Sequence, residues 1–489
     1  MTSIYSHQPL ITPWDGDNFQ PCHRHFYHRP HGKLSFPPEV EEQWEVVVVG
    51  AGLSGLTSAY HLREHRVLVL EAGKVPGGVC RQGSFRGLAY PAGSAYFYYP
   101  GDPSWEAWYR DLGLPLADSA VAKPVSALFY GGRWYPDCFS KPCIQTLPLP
   151  RRAINGLENL AENLAAWEEV WDPMGSDSLP NPELDRMSLA HFLEHEQQLP
   201  PQVTSILAPY CRSCLGAGPE TVSAWAGLFF LMSEFSANSR TAAFPGGNAM
   251  IAQALAQSLS PPVRCGQTLV RLEPAPQGVD LLVWDSPENR GYRLQAGAVI
   301  LALGKFAARH ILPAHAGWEL EVFSRFRYSS YVVAALCGHI SLESPGYENW
   351  IVGDENFSDF IMSPRTPRGD EARVMTVFAP QPYGQSREAL LRMQPEEKAK
   401  ELLTAVERHF PGTAREVEEI HLYRFGHAQI VPYPGFLTTL KGNIAQAQER
   451  VILANSDLEG LPCIEAAIVQ GQKAAQRART LLAENRAGV

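Results

Sequence analysis

The sequence lacks any apolar run long enough to cross a bilayer. Its longest runs, such as Trp225–Met232 and Tyr331–Cys337, fall far short of the roughly 20 residues that a spanning helix needs. No basic stretch followed by an apolar one opens the chain, so no secretory leader is expected. Cysteine is sparse and odd in number, nine in 489 residues, which suits reduced thiols rather than a disulfide framework. An excess of basic residues is missing as well. The 41 Lys and Arg against 51 Asp and Glu leave a formal charge of −10, which argues against a general nucleic-acid binder. These absences point to a soluble, acidic, cytoplasmic protein acting on a small molecule, with homodimerisation left open.

What is present is a large core. Hydrophobic residues make up 45% of the chain, and its length suits about three domains. Residues 1–41 stand apart, rich in His, Pro and aromatics without helical or strand period, and read as an extended arm lying against the body. The arm holds Cys22, His23, His25, His28 and His31, but their spacing fits no closed zinc module, and no metal site is expected.

Val46–Val49 is a β-branched run of the kind buried on both faces of a sheet. Gly50, Gly52 and Gly55 follow at G-x-G-x-x-G spacing. A helical stretch, a second apolar strand at Val67–Leu70 and an acid, Glu71, come next. This is a βαβ opening with a dinucleotide fingerprint. Gly50 permits the tight turn, Gly52 lets backbone approach a pyrophosphate, and Gly55 allows close helix–strand packing. The helix start at Leu53 and Ser54 offers N–H groups to phosphate, and Glu71 suits a ribose with free hydroxyls.

Further along, Glu71-Ala72 leads to Gly77-Gly78 and to Pro91-Ala92-Gly93-Ser94-Ala95. Phe244-Pro245-Gly246-Gly247-Asn248, Thr268-Leu269-Val270, Ala298–Lys305 and Arg424–Gly435 follow in order. Ala454-Asn455-Ser456-Asp457 and Ile464–Gly471 close the series. Together these motifs resemble those of the flavin amine oxidase superfamily over roughly residues 44 to 480. The resemblance implies FAD as cofactor. It places the backbone of Val270 at the adenine, Asp457 at the ribityl or pyrophosphate region, and the backbones of Cys463 and Ile464 at flavin N1 and O2. Pro462 suits the first turn of that last helix, whose N-terminus favours negative charge. Val79 stands where the family often carries Arg. The implied fold class is α/β: a discontinuous Rossmann-type FAD-binding domain, an α+β substrate domain and a helical insertion. The expected division is arm 1–41, FAD-binding pieces 42–102, 236–305 and 441–489, mainly helical insertion 103–235, and substrate sheet 306–440.

Many amine oxidases of this family carry a Lys near flavin N5, which would fall here near Val332 or Val333. No Lys stands there, favouring an acceptor other than O2. Pocket candidates are Tyr331, Trp350, Arg424, His427 and Tyr433. His427 has the ordinary pKa of a general base, and Arg424 the fork to bind a carboxylate, although each also suits a structural role. Cys211 and Cys214 form an isolated CxxC and read as unpaired thiols. The leading expectation is hydride transfer from an amine, polyamine or amino-acid-like substrate to flavin N5. The alternatives are a desaturase or isomerase of a polyprenoid or tetrapyrrole, entered near Leu228–Met232, and a flavin-bound protein whose active site has decayed.

Overall fold

The computed structural model describes residues 8–487 except 29–33, 100–102, 115–120, 123–124, 169–181, 236–239, 314–317, 319, 367–370, 385–386, 441–446 and 449. Two large sheets organise it. The first contains β1 (Glu42–Val49), β2 (Val67–Glu71), β3 (Gln267–Ala275), β4 (Gly278–Asp285) and β5 (Arg290–Leu301). Its order is Arg264–Cys265, β2, β1, β5, β4, β3. β1 and β2 run parallel, Val46 opposite Val67, while β3, β4 and β5 form an antiparallel meander. The apolar runs of the sequence lie in the middle: Val46–Val49 are at most 5% exposed, as strands covered on both faces must be.

One cover is α1 (Leu53–His61) with the terminal helix, α4 (Ile464–Ala487). They meet at backbone distance, because a Cβ at Gly471 would stand 2.5 Å from Ser54 O. Ser54 Oγ and Ser58 Oγ seal the contact by donating to the carbonyls of Ala467 and Gly471. Chain pieces from the start, middle and end of the sequence therefore share one sheet and one core.

The second sheet holds β6 (Tyr328–Gly338), β7 (Glu348–Ile351), β8 (Asp359–Met362), β9 (Arg373–Pro380) and β10 (Val417–Ile430). Its order is Leu10–Ile11, β10, β6, β9, β8, β7, Ala127–Tyr130, Arg133–Pro136. The stretch expected to be mainly helical thus also lends a hairpin to this sheet. Its helices include α2 (Pro201–Leu215) and α3 (Ala224–Phe235), which cover one face. The final strand of the first sheet is β11 (Val451–Leu453), parallel to the end of β5.

The arm departs from a uniformly extended form. Leu10–Ile11 and Asp15–Gly16 pair with β10, then Gln20–His23 turns helical and continues as a π-type turn through His28. Pro21 sits in the first turn of that helix, where its missing N–H costs no bond. α4 also begins later than Pro462 suggested, at Ile464, because Cys463 N still donates to Leu461 O in the preceding turn.

Candidate functional site

The glycine turn between β1 and α1 is built by steric necessity. Gly50 has φ +99°, and a Cβ there would stand 2.5 Å from Ala302 O. A Cβ at Gly55 would fall 1.9 Å from Gly50 O. Gly52 differs: a Cβ there meets nothing within 4 Å, so the ground before the helix N-terminus is open. Glu71, at the end of β2, accepts from Ala51 N (2.8 Å) and Gly73 N (2.7 Å), which locks the acid beside the turn. Gly78, at φ +61°, packs its backbone against Gly52, and Val79 beside it remains 38% exposed. An open floor of backbone N–H groups with an acid at its edge fits the pyrophosphate and ribose of a dinucleotide.

The next motifs interlock around this turn. Ser94 accepts from Asn248 at both its carbonyl (3.0 Å) and its hydroxyl (2.7 Å), and donates its N–H to Val79 O. A Cβ at Gly93 would lie 2.0 Å from Val79 O, so only glycine lets the Pro91–Ala95 turn lie against the Gly77–Val79 loop. On β3, the ladder slips between Leu269 and Arg271. Val270 is the bulged residue, and its backbone is released from pairing.

Asp457, which the family resemblance directs at the cofactor, spends its carboxylate elsewhere. Oδ1 accepts from Lys305 Nζ at 2.8 Å, and Oδ2 from Tyr328 OH at 2.5 Å and Lys305 N at 3.1 Å. Cys463 and Ile464 follow at the start of α4.

The catalytic candidates do not converge. In the ladder Val332 lies opposite Arg424 and Tyr331 opposite Phe425, so Arg424 and Tyr331 point to opposite faces. Arg424 donates to the carbonyls of Leu390 and Leu391 and lies over the rings of Trp14 and Phe19, which makes it an anchor for the arm. His427 stacks on Phe306 (3.7 Å between centroids, 10°) and bonds Arg387. Burial and the Arg387 charge bring its pKa down to about 3, so the imidazole stays neutral. Tyr433 donates to Arg325 O at 2.9 Å. Val332 and Val333, at the family's lysine position, are both buried.

Tyr331 alone of the four stands with a group of acids that sequence reading missed, Glu348 and Asp359 buried and Glu234 half-buried. Trp350 lies opposite Asp359 in the β7–β8 ladder, so Glu348, two residues from Trp350, shares their face. Phe378 on β9 faces Asp359 on one side and Val333 on the other, which puts Tyr331 on that face too. Tyr331 OH bonds Ser213 Oγ of α2 at 2.8 Å. Asp359, 2% exposed, bonds Ser358 and has Arg212 as its charge partner; burial pushes it up to about 7. Glu234 comes from the last turn of α3, a poor place for negative charge. It and Glu348 are both raised by burial, and Glu348 also by the Glu234 charge. The leading charges acting on Glu348 are those of Glu234 and Asp359, both negative. Tyr96, one residue beyond Ala95, feels both carboxylates, and its OH lies 3.2 Å from Cys214 Sγ. The trace in the sequence was acids inside apolar segments, Glu348 and Asp359 in strands and Glu234 in a helix.

The profile of the family described as flavin containing amine oxidoreductase matches residues 53–479. Oxidoreductase PigB of Serratia sp. (strain ATCC 39006) is 24% identical over 542 aligned positions, covering 93% of this chain and 78% of that protein. Among solved structures, a putrescine oxidase redesigned in cofactor binding superposes with a TM-score of 0.70 at 16% identity, over 90% of this chain and 99% of that one. Cyclohexylamine oxidase from Brevibacterium oxydans IH-35A gives 0.66 at 20% identity, over 89% and 99%. At such identities the two structures speak for the fold. The profile match spans most of the sequence, so the chain belongs to the flavin-containing amine oxidoreductase family and is by class an FAD-dependent oxidoreductase.

Proposed function

We propose that the protein binds FAD and oxidises an amine. The observation that carries the amine is the pair Glu234 and Glu348 beside Tyr96, where the leading charge acting on Glu348 is that of Glu234. Two carboxylates in a low-dielectric space cannot both ionise without a counter-charge, so the pair favours a cationic guest. A substrate ammonium supplies that charge. A carboxylate raised toward neutrality is also matched to take the ammonium's proton, leaving the neutral amine that hydride transfer requires.

In this reading the cofactor lies along Gly50, Gly52, Leu53, Ser54 and Gly55. Glu71 and Ala72 sit at its ribose, Gly77, Gly78 and Val79 with Gly93, Ser94 and Ala95 along its length, and the Val270 backbone at its adenine. Cys463 precedes and Ile464 starts the helix whose N-terminus faces its far end. Asp457 contributes by bracing Lys305 and Tyr328 beneath that segment, since its oxygens are already bonded. Bound FAD supplies the hydride acceptor. Tyr331 and Tyr96 line the substrate side, and the enclosing helices exclude water. The division into three FAD-binding pieces, an insertion, a substrate sheet and an arm belongs to the same proposal.

Anaerobic mixing with a panel of amines tests it, with bleaching of the flavin absorbance expected for some of them. Bleaching only by polyprenoid or tetrapyrrole substrates replaces the amine with the desaturase reading. No bleaching by any substrate points to a decayed active site.

A further inference from the structure

The arm does more than lie against the body: it is anchored to both large sheets. At one end it belongs to the substrate sheet. Leu10 and Ile11 pair with Glu419 and Ile420, and Asp15 and Gly16 with Tyr423 and Arg424. Gly16 has φ +99° and a Cβ there would stand 2.4 Å from Arg424 O, so the two backbones touch. The Arg424 guanidinium then lies 5.0 Å from the Trp14 ring and 5.3 Å from the Phe19 ring.

At the other end the arm belongs to the nucleotide sheet. Phe26 is 8% exposed and packs in the apolar cluster of Val49, Leu70, Leu269 and Leu301. It stacks on His310 at 5.3 Å and 12°, while Tyr27 Oη lies 3.1 Å from His310 Nε2. Between these anchors, Asp17 accepts from Gly426 N of β10 at 2.9 Å and feels the charges of Arg81 and Glu71 at the glycine turn. Arg81 in turn holds Gly78 O at 2.9 Å.

We propose that the segment from Leu10 to His28 is a strap closing the cofactor cleft, and that FAD leaves only after the strap detaches from one of its two walls. The inference rests on the cofactor reading and is independent of the amine. A strap spanning both walls must open locally before the ligand exchanges, so the opening equilibrium sets the release rate.

Release of FAD from the holoenzyme, followed by flavin fluorescence after dilution, tests this. Two variants serve: deletion of residues 2–28, and the milder W14A/F19A, which keeps the backbone pairing. Release is expected about 100-fold faster after deletion and about tenfold faster in W14A/F19A, with the bound-flavin spectrum unchanged. Should the deletion fail to fold, W14A/F19A decides. Release from W14A/F19A within twofold of wild type overturns the strap. Protein that takes up no FAD overturns the cofactor reading and the strap together, whereas holoenzyme that no amine bleaches leaves the strap standing.

Discussion

Lys305 Nζ stands 2.8 Å from Asp457 Oδ1, and neither side chain is more than 2% exposed. The pair ties the end of β5 to the segment that leads into α4, with Tyr328 OH closing the second carboxylate oxygen. Breaking one half of a buried pair strands the other charge. Lys305→Met is therefore expected to lower unfolding stability by about 3–5 kcal/mol, and K305M/D457L to recover much of it. Denaturant unfolding of both variants checks this, and equal losses in the single and double variants would refute the coupling.

Glu348→Gln removes one member of the acid pair while keeping its shape. Reduction of the flavin by amine is expected to slow on the order of 10²–10⁴-fold. In the wild type the rate should rise with pH as the burial-raised carboxylate loses its proton, and this limb should vanish in the variant. Anaerobic stopped-flow over a pH series reads both. A change in KM with kcat intact would assign Glu348 to binding alone.

Gly52 and Gly55, three residues apart, make a contrasting pair. A Cβ at Gly52 meets no protein atom within 4 Å, and Gly52→Asp places a carboxylate on the ground meant for phosphate, so the apoprotein should fold and fail to retain flavin. Gly55→Ala drives a methyl into Gly50 O and should destabilise the apoprotein itself. Thermal melts of the apoproteins and flavin titrations separate the two effects.

His427 makes stability depend on acid. Its folded-state pKa, brought down to about 3, lies below the ordinary value near 6.5, so the unfolded chain binds the extra proton between those limits. Stability from this residue is complete above pH 6.5 and falls as pH drops toward 3. His427→Gln should flatten that acid limb by up to one proton, measured as the pH dependence of the unfolding midpoint. An unchanged slope would show that the imidazole already charges in the native state.

The βαβ opening was legible because strand, turn, helix and acid lie within one short stretch, where local sterics dictate geometry. The requirement for glycine at positions 50 and 55 is a statement about backbone oxygens a few residues or one strand away. The acid site was not legible. Glu234, Glu348 and Asp359 come from one helix and two strands, and only the β7–β8 register puts Glu348, Trp350 and Asp359 on a single face. Arg424 illustrates the converse, since its chemistry fitted a pocket but the two-residue period of β10 turned it toward the arm.

By itself the sequence determined the dinucleotide turn, the likeness to the flavin amine oxidases and the order of the chain pieces, because these reside in local spacing. Tertiary structure decided which charged groups lose their water and which stand together. That choice kept His427 neutral, set the Glu234 charge against Glu348, and paired the arm with β10. Burial and cross-strand register belong to no single segment, and it is they that set the electrostatics of the site.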